Sequence, residues 1–219
     1  MLKALSVFLA FIVMGSCASV PKDSKLTPEE ARSRECFNFI IENKTKEFIN
    51  KIEQCKNVRN PMGLTPMMLA IAKENIDLVE AMIAAKVDVN ELDSAGMTAL
   101  VFAANKNNVR IVQLLRRAGA RVEVVNNNLS GLMMAARNSS LELIQVMNPT
   151  AQEINIPAED GWTAIYFAIN RKDAGILRYL LDHGACTSVK DTYQQTPLQY
   201  AEELEWKEGA KILKRKNKC

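Results

Sequence analysis

The chain has 219 residues, 48% of them hydrophobic and 6% aromatic. That is long enough for one well-buried domain, and it suits a helical stack built from Leu, Ile, Val, Ala and Met. A formal net charge of +3 is too modest to argue for nucleic acid as a partner.

At the start of the chain, Lys3 is followed by an apolar run from Ala4 to Met14 that is too short to span a bilayer as a helix. The run ends in Met14-Gly15-Ser16-Cys17. Small residues just before a cysteine resemble a bacterial lipoprotein signal. That resemblance implies cleavage before Cys17 and a diacylglycerol on its thiol; an ordinary cleaved signal is the alternative, and either one exports the protein. Ala18 stands where an Asp resembles an inner-membrane retention signal in two-membrane bacteria, so in such a source outer-membrane anchoring is expected. Residues 1–16 are thus expected to be a signal peptide, and 17–26 a lipid anchor and tether.

Residues 27–219 hold the expected fold. Thr27-Pro28-Glu29-Glu30 has the form of a capped helix start, with Thr27 as N-cap, Pro28 at the first helical position and Glu30 closing a capping box. One helix then carries Phe37, Ile40 and Ile41, and a second, after Asn43-Lys44, carries Phe48, Ile49 and Ile52. This pair, 27–59, is expected to cap the N-terminal end of a solenoid. Five cysteines stand at 17, 36, 55, 186 and 219, and they fit an oxidising compartment. With Cys17 lipidated, the other four allow three pairings. An antiparallel helix pair returns Cys55 towards Cys36, and Cys219 follows Cys186 by 219 − 186 = 33 residues, one repeat length. Disulfides Cys36–Cys55 and Cys186–Cys219 are expected, with buried free thiols as the alternative.

One stretch then recurs. Gly63-Leu64-Thr65-Pro66-Met67-Met68-Leu69-Ala70 is followed by Gly96-Met97-Thr98-Ala99, by the weaker Asn128-Leu129-Ser130-Gly131, by Gly161-Trp162-Thr163-Ala164, and by Gln194-Gln195-Thr196-Pro197. The Thr/Ser positions are 65, 98, 130, 163 and 196, so the steps are 33, 32, 33 and 33. A fixed period of that size means a stack of repeats. Each Thr or Ser is an N-cap candidate, and Pro66 and Pro197 sit where a first-turn proline loses no bond. A second apolar helix follows each signature, and glycines such as Gly119 and Gly184 supply left-handed exits.

This pattern resembles the ankyrin repeat, with its G-x-T-P-L-H-x-A-A signature, over roughly residues 35–215. The resemblance implies an all-α solenoid of helix pairs joined by protruding hairpin fingers, with repeats at 60–90, 91–123, 124–156, 157–189 and 190–219. The family's histidine is absent, and with it the inter-repeat bonding it provides; Met68, Val101, Met133, Tyr166 and Gln199 hold its place. The third repeat is one residue short in its finger, and Pro149 replaces the end of its second helix. A tolerated irregularity and a functional bend both fit. Lys207 to Lys218 forms a basic helix end that suits the helix dipole, with a membrane-surface patch as the alternative.

No catalytic constellation, phosphate loop, Cys-x-x-Cys or paired metal ligands appear, and the single histidine, His183, has no nucleophile implied by spacing. An enzyme, a cofactor and a metal site are not expected. The resemblance implies instead a concave face, made by fingers and first helices, that binds another protein. Its residues here would be Met62, Leu64, Lys73, Met97, Lys106, Asn127, Glu159, Trp162, Arg171, Tyr193 and Arg137. Lys73, Lys106, Arg137 and Arg171 occur once per repeat as a basic ladder, suited to a partner with an acidic surface. Trp162 and Tyr193 belong to the residue types enriched in hot spots. Replacing Trp162 by Ala with Arg171 by Glu is expected to weaken binding and leave the melting temperature nearly unchanged. The resemblance implies a monomer when unbound, and no nucleic acid. Exported bacterial members resemble inhibitors or accessory partners of envelope enzymes. An inhibitor of a peptidoglycan hydrolase, of the self-protection type, is the leading expectation; an accessory factor for a periplasmic enzyme and a structural tether are the rivals.

Overall fold

The structure is a computed structural model that describes residues 26–122, 129–215 and 219. Its beginning follows from the cap. Thr27 Oγ1 accepts from the Glu30 N–H, while the Glu30 carboxylate accepts from the Thr27 N–H at 2.8 Å, and helix α1 (Pro28–Ile41) starts there. Phe37 and Ile40 are buried, but Ile41 turns outward and is 50% exposed. The single helix expected after Asn43-Lys44 is two, α2 (Thr45–Asn50) and α3 (Ile52–Cys55), broken at Lys51. With that break, Cys55 lies 5.5 Å from Cys36, Cα to Cα, and the two are joined as a disulfide.

Helix pairs then repeat down the chain: α4 (Pro66–Ala72) with α5 (Ile76–Ala84), α6 (Ala99–Asn105) with α7 (Val109–Arg117), and α8 (Gly131–Arg137) with α9 (Leu141–Met147). A short α10 (Ala151–Ile154) intervenes before α11 (Ala164–Asn170) with α12 (Ala174–Asp182), and α13 (Pro197–Glu203) with α14 (Lys207–Arg215). The first helix of each of these pairs has seven residues, with a Thr or Ser before it and a left-handed residue after it. Thr65, Thr98, Ser130 and Thr196 each accept the N–H three residues on; only Thr163 makes no side-chain cap bond. At the other end the chain enters the left-handed region at Glu74, Asn107, Ser139, Lys172 and Glu205, which turns it into the second helix. Ala70, Ala103, Ala135, Ala168 and Ala201 are fully buried, and these small side chains let successive first helices pack side by side. The only β pairing among the described residues is an isolated bridge, Leu92 to Thr98. The molecule is an all-α solenoid.

Neighbouring repeats are also tied by polar contacts. Asn90 donates to Gly119 O and accepts from the Arg121 N–H; Asn155 does the same with Gly184 O and the Cys186 N–H. The position that lost the family's histidine holds buried Met68, Val101, Met133 and Tyr166 and exposed Gln199, and Tyr166 makes an inter-repeat bond of its own. Its hydroxyl lies 2.8 Å from Val189 O and 2.6 Å from Gln195 O, so it ties α11 to the next finger. Burial, with Asp191 nearby, pushes the Tyr166 pKa up and keeps that proton in place.

Pro149 ends α9 early. Asn148 takes a left-handed conformation and Thr150 with Glu153 forms a capping box that starts α10. Arg116 braces the irregular segment: its guanidinium donates to Met147 O and Ala120 O, each at 2.7 Å, and pairs with Glu153 at 3.0 Å. The missing finger residue falls in 123–128, outside the described residues. At the C-terminal end Cys186 and Cys219 are joined, their Cα atoms 5.1 Å apart.

Candidate protein-binding face

Four fingers are described, each closed by a short backbone loop: Asn60 N–H to Leu64 O, Asp93 to Met97, Ala158 to Trp162 and Asp191 to Gln195. The side-chain oxygens of Asn60, Asp93 and Asp191 each accept two N–H groups inside their own loop, which stiffens three of the fingers. Gly161 shows how closely the last two approach. Its φ is +80°, and a Cβ there would sit 2.9 Å from Asp191 Cα, while the Thr192 N–H donates to Asp160 O at 3.0 Å. The fingers are therefore spacers of fixed shape, and what they carry is set by register.

Counted from the signature Thr or Ser, the residue just before it (Leu64, Met97, Leu129, Trp162, Gln195) stands on the finger's inner stem. Leu64 is 4% exposed, Met97 and Leu129 are half-buried, and all three pack on the core. Trp162 is also half-buried, with ring centroids 5.7 Å from Tyr166, 5.3 Å from Phe167 and 5.1 Å from Tyr200. Two expectations are corrected. Leu64 is a core residue, because the signature register turns it under its finger. Trp162 bridges α11 and α13, so its removal must lower stability and cannot leave melting unchanged.

The tips differ. Met62 is 51% exposed on the first described finger and Tyr193 83% on the last; Glu159 is exposed on the third, Ala158–Trp162. Asn127 and Cys17 lie outside the described residues.

The basic ladder is corrected too. Lys73, Lys106 and Arg171 are C-caps, eight residues beyond their Thr, whereas Arg137 is only seven beyond Ser130 and is the last residue of α8. One residue is about 100° of helix, so Arg137 faces a different direction. Lys106 is half-buried and paired with Glu74 at 3.6 Å; Lys73 and Arg171 are exposed. In the third repeat Asn138 holds the C-cap position and the cation stands one residue before it, which a count of one cation per repeat conceals. Arg137 is half-buried, burial disfavours its charged form, and no hydrogen bond or ion pair reaches it from the described residues.

Phe102, Met134, Phe167 and Tyr200, four residues beyond each cap, form an apolar column that sequence reading passed over; the repeating register was the signal for it. Phe102, Met134 and Phe167 are buried in the core, and Tyr200 is half-buried with its hydroxyl donating to Asn170 Oδ1 at 3.0 Å. His183 caps α12, with Nδ1 2.8 Å from Tyr179 O and its ring stacked on Tyr179. Among the described residues no three His, Cys, Asp or Glu side chains converge as metal ligands, and no helix is long and apolar enough to cross a membrane. What the arrangement offers is a rigid surface with aromatic, aliphatic and cationic groups on it.

Comparison with known proteins identifies the repeat. The sequence profile described as "Ankyrin repeats (3 copies)" matches residues 30–126 and 132–219. The chain is 27% identical over 186 residues to the ankyrin repeat protein YahD of Escherichia coli, covering 67% of this chain and 92% of that one. It is 27% identical over 164 residues to the nuclear factor NF-kappa-B p105 subunit of Gallus gallus, and 28% over 144 residues to the mitochondrial disaggregase of Bos taurus. Those two matches cover 72% and 64% of this chain but only 17% and 21% of the relatives, which are much longer proteins.

Proposed function

Since this chain belongs to the ankyrin-repeat family, we propose that it is an exported, lipid-anchored binding module that inhibits a peptidoglycan hydrolase of its own cell envelope. The observation that carries this reading is the stiff finger face. Exposed Tyr193 and Met62 stand at its two ends, and half-buried Arg137 lies between them. A surface fixed before binding loses little freedom on association, as blocking an enzyme cleft requires. Export is supported by the apolar run ending at Cys17 and by the two disulfides, which persist in oxidising compartments. Disulfides at the two ends of the stack tie down the helices that lack a neighbour on one side.

The experiment is affinity capture from solubilised envelope with residues 18–219 as bait, followed by an activity assay on what is retained. A cell-wall hydrolase that is held and loses activity is the expected result. An enzyme that is held and gains activity or lifetime would move the assignment to an accessory factor, and binding without any change in activity would make the protein a tether.

A further inference from the structure

Between the last two described fingers, Ala158–Trp162 and Asp191–Gln195, lies an open cavity of about 430 Å³. Ala158, Glu159, Thr163, Lys190 and Asp191 are among its lining residues. Ala158 stands where the other fingers have Asn60, Asp93 and Asp191, and it brings no polar side chain to its own loop. Thr163 departs from its register as well. It is 1% exposed yet makes no cap bond, and its ψ is 178°, against 158° to 164° at the other four caps. The Tyr166 N–H, which a capping hydroxyl would accept, donates to Thr163 O at 3.1 Å instead. No hydrogen bond reaches the Thr163 hydroxyl from the described residues. Among those residues no side-chain oxygen or nitrogen closed off from solvent lacks a partner, so this hydroxyl is open to the cavity it lines. Asp191 is a second buried polar group in the same wall, 3% exposed. Its Oδ1 accepts the Tyr193 and Gln195 N–H groups, each at 2.9 Å, and the same reasoning leaves its Oδ2 open. Asn60 closes the first finger with the same two bonds through an amide oxygen, so the finger does not need the charge of Asp191. No ion pair joins Asp191 or Glu159 to a cation among the described residues, although a buried carboxylate without a counter-charge is costly.

Resting on the binding reading above, we propose that this cavity is a subsite for the ammonium group of a lysine side chain of the partner protein. An ammonium is a compact charge with three donors, and the wall offers it acceptors in Asp191 Oδ2, the Thr163 hydroxyl and the Glu159 carboxylate. A guanidinium fork suits a carboxylate with both oxygens free, whereas Asp191 Oδ1 is already taken. An anion is disfavoured, because two carboxylates stand against the single cation Lys190 in the lining.

The test titrates the isotope-labelled chain with N-acetyl-lysine methylamide and, separately, with its norleucine counterpart, following backbone amide shifts by NMR. The lysine probe is expected to shift Gly161, Thr163, Asp191 and Thr192 saturably, and the norleucine probe to leave them in place. Asp191→Asn, which keeps the bonds of the finger, should weaken the lysine probe about tenfold, and Thr163→Val about threefold. Thr163→Val should also leave the urea midpoint unmoved, while Thr65→Val, which loses a cap bond, lowers it. Equal shifts from the norleucine probe, or lysine binding indifferent to Asp191→Asn, would overturn the ammonium subsite without any appeal to the partner. A midpoint that falls as far for Thr163→Val as for Thr65→Val would assign that hydroxyl to the fold and overturn its role here. Envelope capture separates the two readings. A chain carrying Asp191→Asn should hold the retained enzyme more weakly; unchanged retention would overturn the partner's lysine as the source and leave the binding reading standing. Capture of nothing by the wild-type chain would overturn the binding reading and the partner's lysine with it, while the titration still decides the ammonium site.

Discussion

Glutamine 194 sits at φ 62°, in the left-handed region, at the loop position that the other described fingers fill with Gly63, Gly96 and Gly161. For a residue with a Cβ this conformation costs about 1 kcal/mol, and glycine removes that cost at some entropic expense in the unfolded chain. Gln194→Gly is therefore expected to stabilise the protein by up to about 0.5 kcal/mol, read as a rise in the urea midpoint with an unchanged m-value. The five helix-to-helix turns, from Glu74 to Glu205, hold the same conformation without glycine. Their positions were visible as gaps between apolar segments. Their conformation was not, because the residues there do not advertise it as glycine would.

Helix α10 exists because Pro149 stops α9 and Thr150 with Glu153 starts a new turn. Glu153 has two duties, capping α10 and pairing with Arg116. Burial pushes its pKa up, but the Thr150 N–H and the Arg116 charge outweigh this, and the net shift is downward. A depressed folded pKa means stability that is full above the ordinary value of 4.5 and is lost as pH falls through the folded value. Glu153→Gln should flatten that acid-side loss and cost about 2 kcal/mol at neutral pH, measured by chemical unfolding between pH 3 and 7. An unaltered pH profile in the variant would place the acid sensitivity elsewhere. The caps and helix lengths were legible because their signals are local: Thr65, Pro66 and the next apolar run lie within one turn. Arg116 to Glu153 spans 37 residues, and Tyr166 reaches Val189 and Gln195, 23 and 29 residues away. Spacing along the chain does not say where such side chains meet.

At the scale of the whole stack, each repeat touches its neighbours, so stability is a sum of units and interfaces. Trp162 belongs to one such interface through Phe167 and Tyr200. Trp162→Ala is expected to cost about 2 kcal/mol and to open α13 and α14 ahead of α4 to α7 in hydrogen exchange. The solenoid was readable from the period alone. The face was readable only in part, since the register that placed Tyr193 at a tip also buried Leu64, and Arg137 stands one residue ahead of the C-cap row. Inhibition is measured from the rate at which envelope extract of the producing cell solubilises purified peptidoglycan, as increasing amounts of the chain are added. The rate should fall to a plateau with the wild-type chain, and a chain carrying Arg137→Met with Tyr193→Ala should need at least about tenfold more protein to reach the same loss. A rate unchanged by the wild-type chain at every concentration would contradict the inhibitor assignment.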